Sequence, residues 1–146
     1  SGATGIAEIE RIVESGEFGP PAASPGRIRP VAIADRYRDF VRSHARLRRR
    51  LRVAMDFANA MGIVEAAALE GLFDTVRLFD TLDGSFPHHE ANPLKTETLE
   101  TLRETVRRER CDFGVAFDGD ADRAGFVDER GEIVPMDMVT ALIVER

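Results

Sequence analysis

Phe113-Gly114-Val115-Ala116-Phe117 is a run of five residues without a polar side chain, and the residue that follows it is Asp118. A strand that is apolar throughout, rather than alternating, is covered on both faces, as in a parallel sheet with helices on either side. The same pattern recurs upstream. Leu51, Val53 and Met55 mark a first strand, the small-residue stretch from Ala60 to Leu69 reads as helical, and Val76, Leu78 and Phe79 mark a second strand. Residues 97–110 then form a helix with Leu99, Leu102 and Val106 on one face, acidic at its start and basic at its end, as the helix dipole favours. This alternation predicts an α/β fold: a mixed, mostly parallel sheet flanked by helices in three layers. Beyond Asp118, Gly125-Phe126-Val127 and Glu132-Ile133-Val134 flank the turn-rich Asp128-Glu129-Arg130-Gly131, which predicts a C-terminal β-hairpin. Residues 136–144 read as a helix, and the sequence stops at Arg146 without a terminating residue, as a cut chain would.

The first fifty residues follow different rules. Ile6, Ile9, Ile12 and Val13 recur at helical spacing before Gly16, which predicts a short amphipathic helix. From Gly16 to Pro30 there are three glycines and the prolines Pro20, Pro21, Pro25 and Pro30, so this stretch is a linker or irregular loop. Ile33, Tyr37, Phe40, Val41 and Leu47 outline a second helix, predicted to end in the basic run Arg46, Arg48, Arg49 and Arg50. Cations in a last turn complement the helix dipole, and a solvated role is preferred here over binding of an anionic partner.

Composition narrows the function. A chain of 146 residues with 43% apolar content has enough material for one core. The net charge of -6 argues against a nucleic acid partner, since nothing in it is built to neutralise a phosphate backbone. The single cysteine, Cys111, excludes an intrachain disulfide framework and fits the reducing cytoplasm. No stretch approaches the eighteen or so apolar residues of a membrane span, so no membrane partner is expected.

The loop Asp118-Gly119-Asp120-Ala121-Asp122-Arg123 carries the chemistry. Asp118, Asp120 and Asp122 place three hard oxygen ligands in one short turn, and Gly119 and Ala121 are small enough for the backbone to curl. Carboxylates without imidazole or thiolate favour magnesium, calcium or manganese. The loop also follows a strand's carboxyl end, where open α/β sheets place ligands. A solvated acidic turn is the plain alternative, but three like charges this close repel unless a cation offsets them. A calcium EF-hand has aspartates at the same loop positions, yet needs glycine where Arg123 stands and helices where strands are predicted. Arg123 adds a fixed cation with a fork of donors suited to phosphate, or serves as counter-charge to the aspartates. Metal and arginine together point to phosphoryl chemistry.

With these residues the sequence resembles the α-D-phosphohexomutases, the phosphomannomutase/phosphoglucomutase superfamily, whose metal loop reads Asp-Gly-Asp-Gly-Asp-Arg or has alanine fourth, as in Asp118 to Arg123. The resemblance extends to Phe86-Pro87-His88-His89-Glu90-Ala91-Asn92-Pro93-Leu94, similar to the family's Phe-Pro-x-His loop ending in Asn-Pro, and to residues 53–62 with Asp56, Asn59 and Gly62. Ala91 stands where many members have proline, and Phe57 and Ala60 replace smaller residues. His88, His89 and Asn92 are read as loop anchors rather than catalysts, and Asp56 and Asn59 as caps of a strand end or helix start.

The resemblance implies that residues 51–146 are the magnesium-binding second domain of a larger isomerase, and residues 1–50 a helical lead-in and Pro/Gly-rich linker from a preceding domain. It implies a Mg2+ held by Asp118, Asp120 and Asp122, and an Arg123 that contacts substrate. The partners implied are a hexose phosphate and the remaining domains of the same polypeptide. The reaction implied interconverts hexose 6-phosphate and hexose 1-phosphate through a phosphoserine and a bisphosphorylated sugar. None of Ser1, Ser15, Ser24, Ser43 or Ser85 lies in the family's Thr-x-Ser-His-Asn-Pro type of loop, so this chain alone is expected to be inactive. Two other readings stay open: a stand-alone divalent-cation module, and a haloacid-dehalogenase-type phosphatase, which would use Asp118 and Asp120 but also needs a lysine that Lys95 supplies poorly.

Overall fold

The computed structural model describes residues 5–144, which divide into two compact units, one ending at Ala32 and one beginning at Ile33. The first holds α1 (Ile6–Ser15) and an irregular segment rich in proline and glycine. Gly16 ends α1 in the left-handed conformation, φ +68°, and its N–H donates to the Ile12 carbonyl at 3.0 Å, the stop expected of that glycine.

The second unit contains α2 (Ala34–Ser43), β1 (Arg52–Asp56), α3 (Gly62–Ala66), β2 (Asp74–Leu78), α4 (Glu100–Glu109), β3 (Phe113–Phe117), β4 (Ala124–Val127), β5 (Ile133–Val134) and α5 (Met136–Val144). Single 3₁₀ turns extend α3 through Leu69 and lead into α4 from Thr96. The five strands form one open sheet in the order β2-β1-β3-β4-β5. β1 lies parallel to both β2 and β3, while β4 and β5 run antiparallel as the hairpin. The predicted mixed, mostly parallel sheet with helices on its faces is what forms.

Alternation along the strands assigns the layers. Ala54 and Ala116 join Leu99, Leu102, Val106 and Val127 in a core beneath α4. Val53, Met55 and Val115 face the other way, toward Ala66 and the partly buried Ile63 and Leu69. Each fully buried Leu or Val contributes about 1.5–3 kcal/mol relative to exposure. Gly114 is what lets α4 come so close. A Cβ there would lie 2.7 Å from methyl carbons of Val106 and Val127 and 2.9 Å from Leu102.

Several boundaries differ from expectation. α2 ends at Ser43, so Leu47 and the four arginines lie beyond it. The reason is that the end of α2 finds other partners: Ser43 Oγ donates to the Phe40 carbonyl at 2.7 Å, and Arg46 donates to that of Ser43 at 2.8 Å. Two of the arginines then act as staples. Arg49 pairs with Asp112 at 2.6 Å, and Arg50 donates to the Phe73 carbonyl. The helix expected from Ala60 shortens because Ala58 and Asn59 adopt left-handed backbone and make a turn first. Phe79 leaves its strand for the same reason, with φ +52°. The helix expected over 97–110 begins as the 3₁₀ turn and closes on Arg110, itself left-handed. α5 forms as predicted, with Met138, Leu142, Ile143 and Val144 exposed.

Candidate metal centre

β1 and β3 are neighbouring parallel strands, and each delivers a fully buried aspartate at its carboxyl end: Asp56 as the last residue of β1, Asp118 just past β3. Buried carboxylates need partners, and the two find different ones. Asp118 is held by the residue five positions on. Its Oδ1 accepts the Arg123 backbone N–H at 3.1 Å, its Oδ2 accepts the Arg123 Nε–H at 2.6 Å, and its own N–H donates to the Arg123 carbonyl at 3.2 Å. Burial pushes the Asp118 carboxyl up, but the Arg123 amide and guanidinium outweigh it and hold the group below the usual carboxylate range.

The loop between them curls through Ala121, which adopts φ +63° with its N–H on the Asp118 carbonyl at 3.3 Å. This brings one carboxylate oxygen from each of Asp118, Asp120 and Asp122 within 4.8 Å of the others, with Asp118 buried and the other two exposed. The Asp122 carboxyl is pushed up, chiefly by repulsion from Asp120. Such a set of hard oxygen donors, one anchored in the protein and two facing solvent, fits a divalent cation that keeps part of its water shell. Arg123 sits half in solvent. Its Nε is committed to Asp118 and lies 3.5 Å from Asp122, while its terminal nitrogens have no bonded partner among the described residues. All four residues singled out in the sequence are therefore in one place.

Asp56 is paired instead with His89, whose Nε2 lies 3.1 and 3.2 Å from the two carboxylate oxygens. Its neighbour His88 places Nδ1 2.7 Å from Asn59 Oδ1. His89 and Asn92 anchor their own loop as expected, His89 Nδ1 at 2.8 Å from the Glu90 carbonyl and Asn92 Oδ1 accepting the Leu94 N–H, while both histidines also tie the loop to the turn after β1. Asp56 caps the strand end as expected, accepting the Ala58 N–H at 2.9 Å, whereas Asn59 caps no helix and bonds Thr81 and His88. The Asp56–His89 pair spans 33 positions and has no local signature. The signal that was available is the repetition of a buried apolar strand ending on aspartate, Val53 to Asp56 and Val115 to Asp118.

The family model for phosphoglucomutase/phosphomannomutase, alpha/beta/alpha domain II, matches residues 34–131, which include strands β1 to β4, the acidic loop and the histidine loop. The chain belongs to this family. Within the phosphoglucomutase/phosphomannomutase family, it is 38% identical over 122 residues to a phosphomannomutase/phosphoglucomutase of Pseudomonas putida, covering 82% of this chain and 26% of that protein. It is also 38% identical over 117 residues to a phosphomannomutase of Methanocaldococcus jannaschii, covering 79% and 26%. A crystal structure of a phosphoglucomutase/phosphomannomutase family protein from Burkholderia thailandensis superposes with a TM-score of 0.77 at 28% identity, covering 95% of this chain and 31% of that one. The chain thus spans roughly a quarter to a third of the length of the family members it matches.

Proposed function

We propose that this chain is the metal-carrying domain of a phosphohexomutase, an isomerase that moves a phosphoryl group between the 6- and 1-positions of a hexose through a phosphoserine and a bisphosphorylated sugar. The observation that carries the reading is the cluster of Asp118, Asp120 and Asp122 at the exit of β3 with Arg123 beside it. The three aspartates would hold Mg2+, which when bound supplies charge stabilisation for a phosphoryl group in transfer. The chain's own part in this is positional. The buried Asp118, fixed by two bonds from Arg123, sets where the loop stands, and Asp120 and Asp122 face outward from it. Arg123 spends Nε on Asp118 and directs its remaining donors at an anion, so one guanidinium both braces the metal loop and contacts a phosphate of the hexose phosphate substrate.

Residues 51–146 form the metal-carrying domain in this reading. Residues 1–50 are the lead-in from a preceding domain of the same polypeptide, working in the cytoplasm. Among the described residues no helix is long and apolar enough to cross a membrane. The EF-hand reading has no support, since β3 and β4 flank the loop. The phosphatase reading is weakened because Lys95 is occupied by Glu90 at 2.5 Å.

Calorimetric titration with magnesium tests the assignment. One weak site is expected, lost in Asp120→Ala, because a set of three carboxylates leaves the octahedron to be completed by water. Equal heat of binding from the native chain and the Asp120→Ala chain would sink the assignment.

A further inference from the structure

Left-handed backbone at a non-glycine residue is uncommon and costs on the order of 1 kcal/mol or more. Among the described residues it occurs at Ala58, Asn59, Phe79, Phe86, Arg110 and Ala121. All but Arg110, the cap of α4, lie in loops at the carboxyl edge of the parallel strands. Two are consecutive in the turn that follows β1, and that turn is the wall behind the acidic loop. The Met61 N–H donates to the Gly119 carbonyl at 3.3 Å, a Cβ on Gly62 would meet the Phe117 side chain at 3.0 Å, and the Phe57 and Phe117 rings stack at 5.8 Å.

Backbone bonds hold the turn, with the Asn59 N–H on the Phe79 carbonyl and the Asp83 N–H on that of Asn59, both at 2.9 Å, and the pair of histidines adds side-chain bonds to it. His89 Nδ1 lies 2.8 Å from the Glu90 carbonyl, which only accepts, and Nε2 faces the Asp56 carboxylate, which also accepts. With a proton on each ring nitrogen, His89 donates to the Glu90 carbonyl on one side and to Asp56 on the other. On the other side, Asn59 Nδ2 donates to the Thr81 carbonyl, so its Oδ1 accepts from His88. Phe79 stacks on His88 at 4.3 Å and meets His89 edge-on at 5.2 Å, fixing both rings.

Resting on the metal-loop reading above, we propose that His88 and His89 are positioning residues for the acidic loop. They clamp Asn59 and Asp56, the clamped turn fixes the Met61 N–H, and that N–H fixes the Gly119 carbonyl between Asp118 and Asp120. The histidines touch neither metal nor substrate in this scheme.

Two readouts on the 146-residue chain test it. Magnesium titration of His88→Ala and His89→Ala, with circular dichroism to establish that each is folded, should show Kd raised about tenfold, the scale of losing an outer partner of a metal ligand. In the metal-free chain, NMR should show faster exchange of the Met61 amide and shifted Gly119 and Asp120 resonances. A folded variant with native magnesium affinity overturns the proposal, even if Met61 exchanges faster, since the histidines would then shape only their own turn. If His89→Ala does not fold, His88→Ala, which alters an exposed ring, decides by the same criteria. If the unaltered chain takes up no magnesium, the metal reading fails; the metal-free amides then decide positioning alone, and native exchange with native shifts rejects it.

Discussion

At the scale of single residues, the two buried aspartates differ in the cation that answers them, and so in how they respond to pH. Asp118 faces a guanidinium, which keeps its charge at any ordinary pH. Asp56 faces an imidazole, and this hydrogen bond is the main reason that the His89 pKa is raised above its ordinary 6.5, against the opposing effect of burial. A group that binds its proton more tightly when folded stabilises the fold fully below its unfolded pKa, and that contribution is lost as pH rises through the folded value. The melting temperature should therefore fall as pH rises above the ordinary histidine value of 6.5, and His89→Gln should flatten that slope. Equal slopes in the two chains would show that the pair carries no net linkage. The acidic loop was legible residue by residue because its three aspartates stand within five consecutive positions. The Asp56–His89 pair was not, because the two halves come from different connections and meet only when β1, β2 and the loop after β2 are in place.

At the scale of elements, Gly114 is the point where packing has least tolerance. The methyl groups within 2.7 Å of its missing Cβ belong to branched valines on α4 and β4, which cannot swing aside as a long chain can. Gly114→Ala should cost about 1–3 kcal/mol by overpacking, seen as a lower urea midpoint at unchanged slope. An unshifted midpoint would mean that α4 moves off the sheet without penalty. The strands themselves could be read from period and apolarity, since β3 and the hairpin form where expected. Helix ends could not. α2 stops before its arginines because Ser43 and Arg46 satisfy the terminal carbonyls, and α3 starts late because Ala58 and Asn59 are held left-handed by tertiary bonds. Such endings depend on partners that periodicity does not encode.

At the scale of the whole molecule, the proposed function gives the sheet one half of a reaction centre. The aspartates and Arg123 provide charge, but the sequence has no serine in the family's nucleophile loop. Incubated with a hexose monophosphate and the matching bisphosphate, this chain alone should give no isomerisation above buffer. Measurable turnover would mean that another residue carries the phosphoryl group and would overturn the division of labour proposed here.

The Asp118–Arg123 bond also sets the charge of the loop before any ion arrives. Three carboxylates count −3 and the guanidinium +1, which leaves −2. A divalent cation brings that sum to zero, whereas sodium or potassium leaves it short and a trivalent ion overshoots. On the metal-loop reading proposed above, the arginine that braces the loop would thus also set the valence that balances it, by electroneutrality rather than by cavity size.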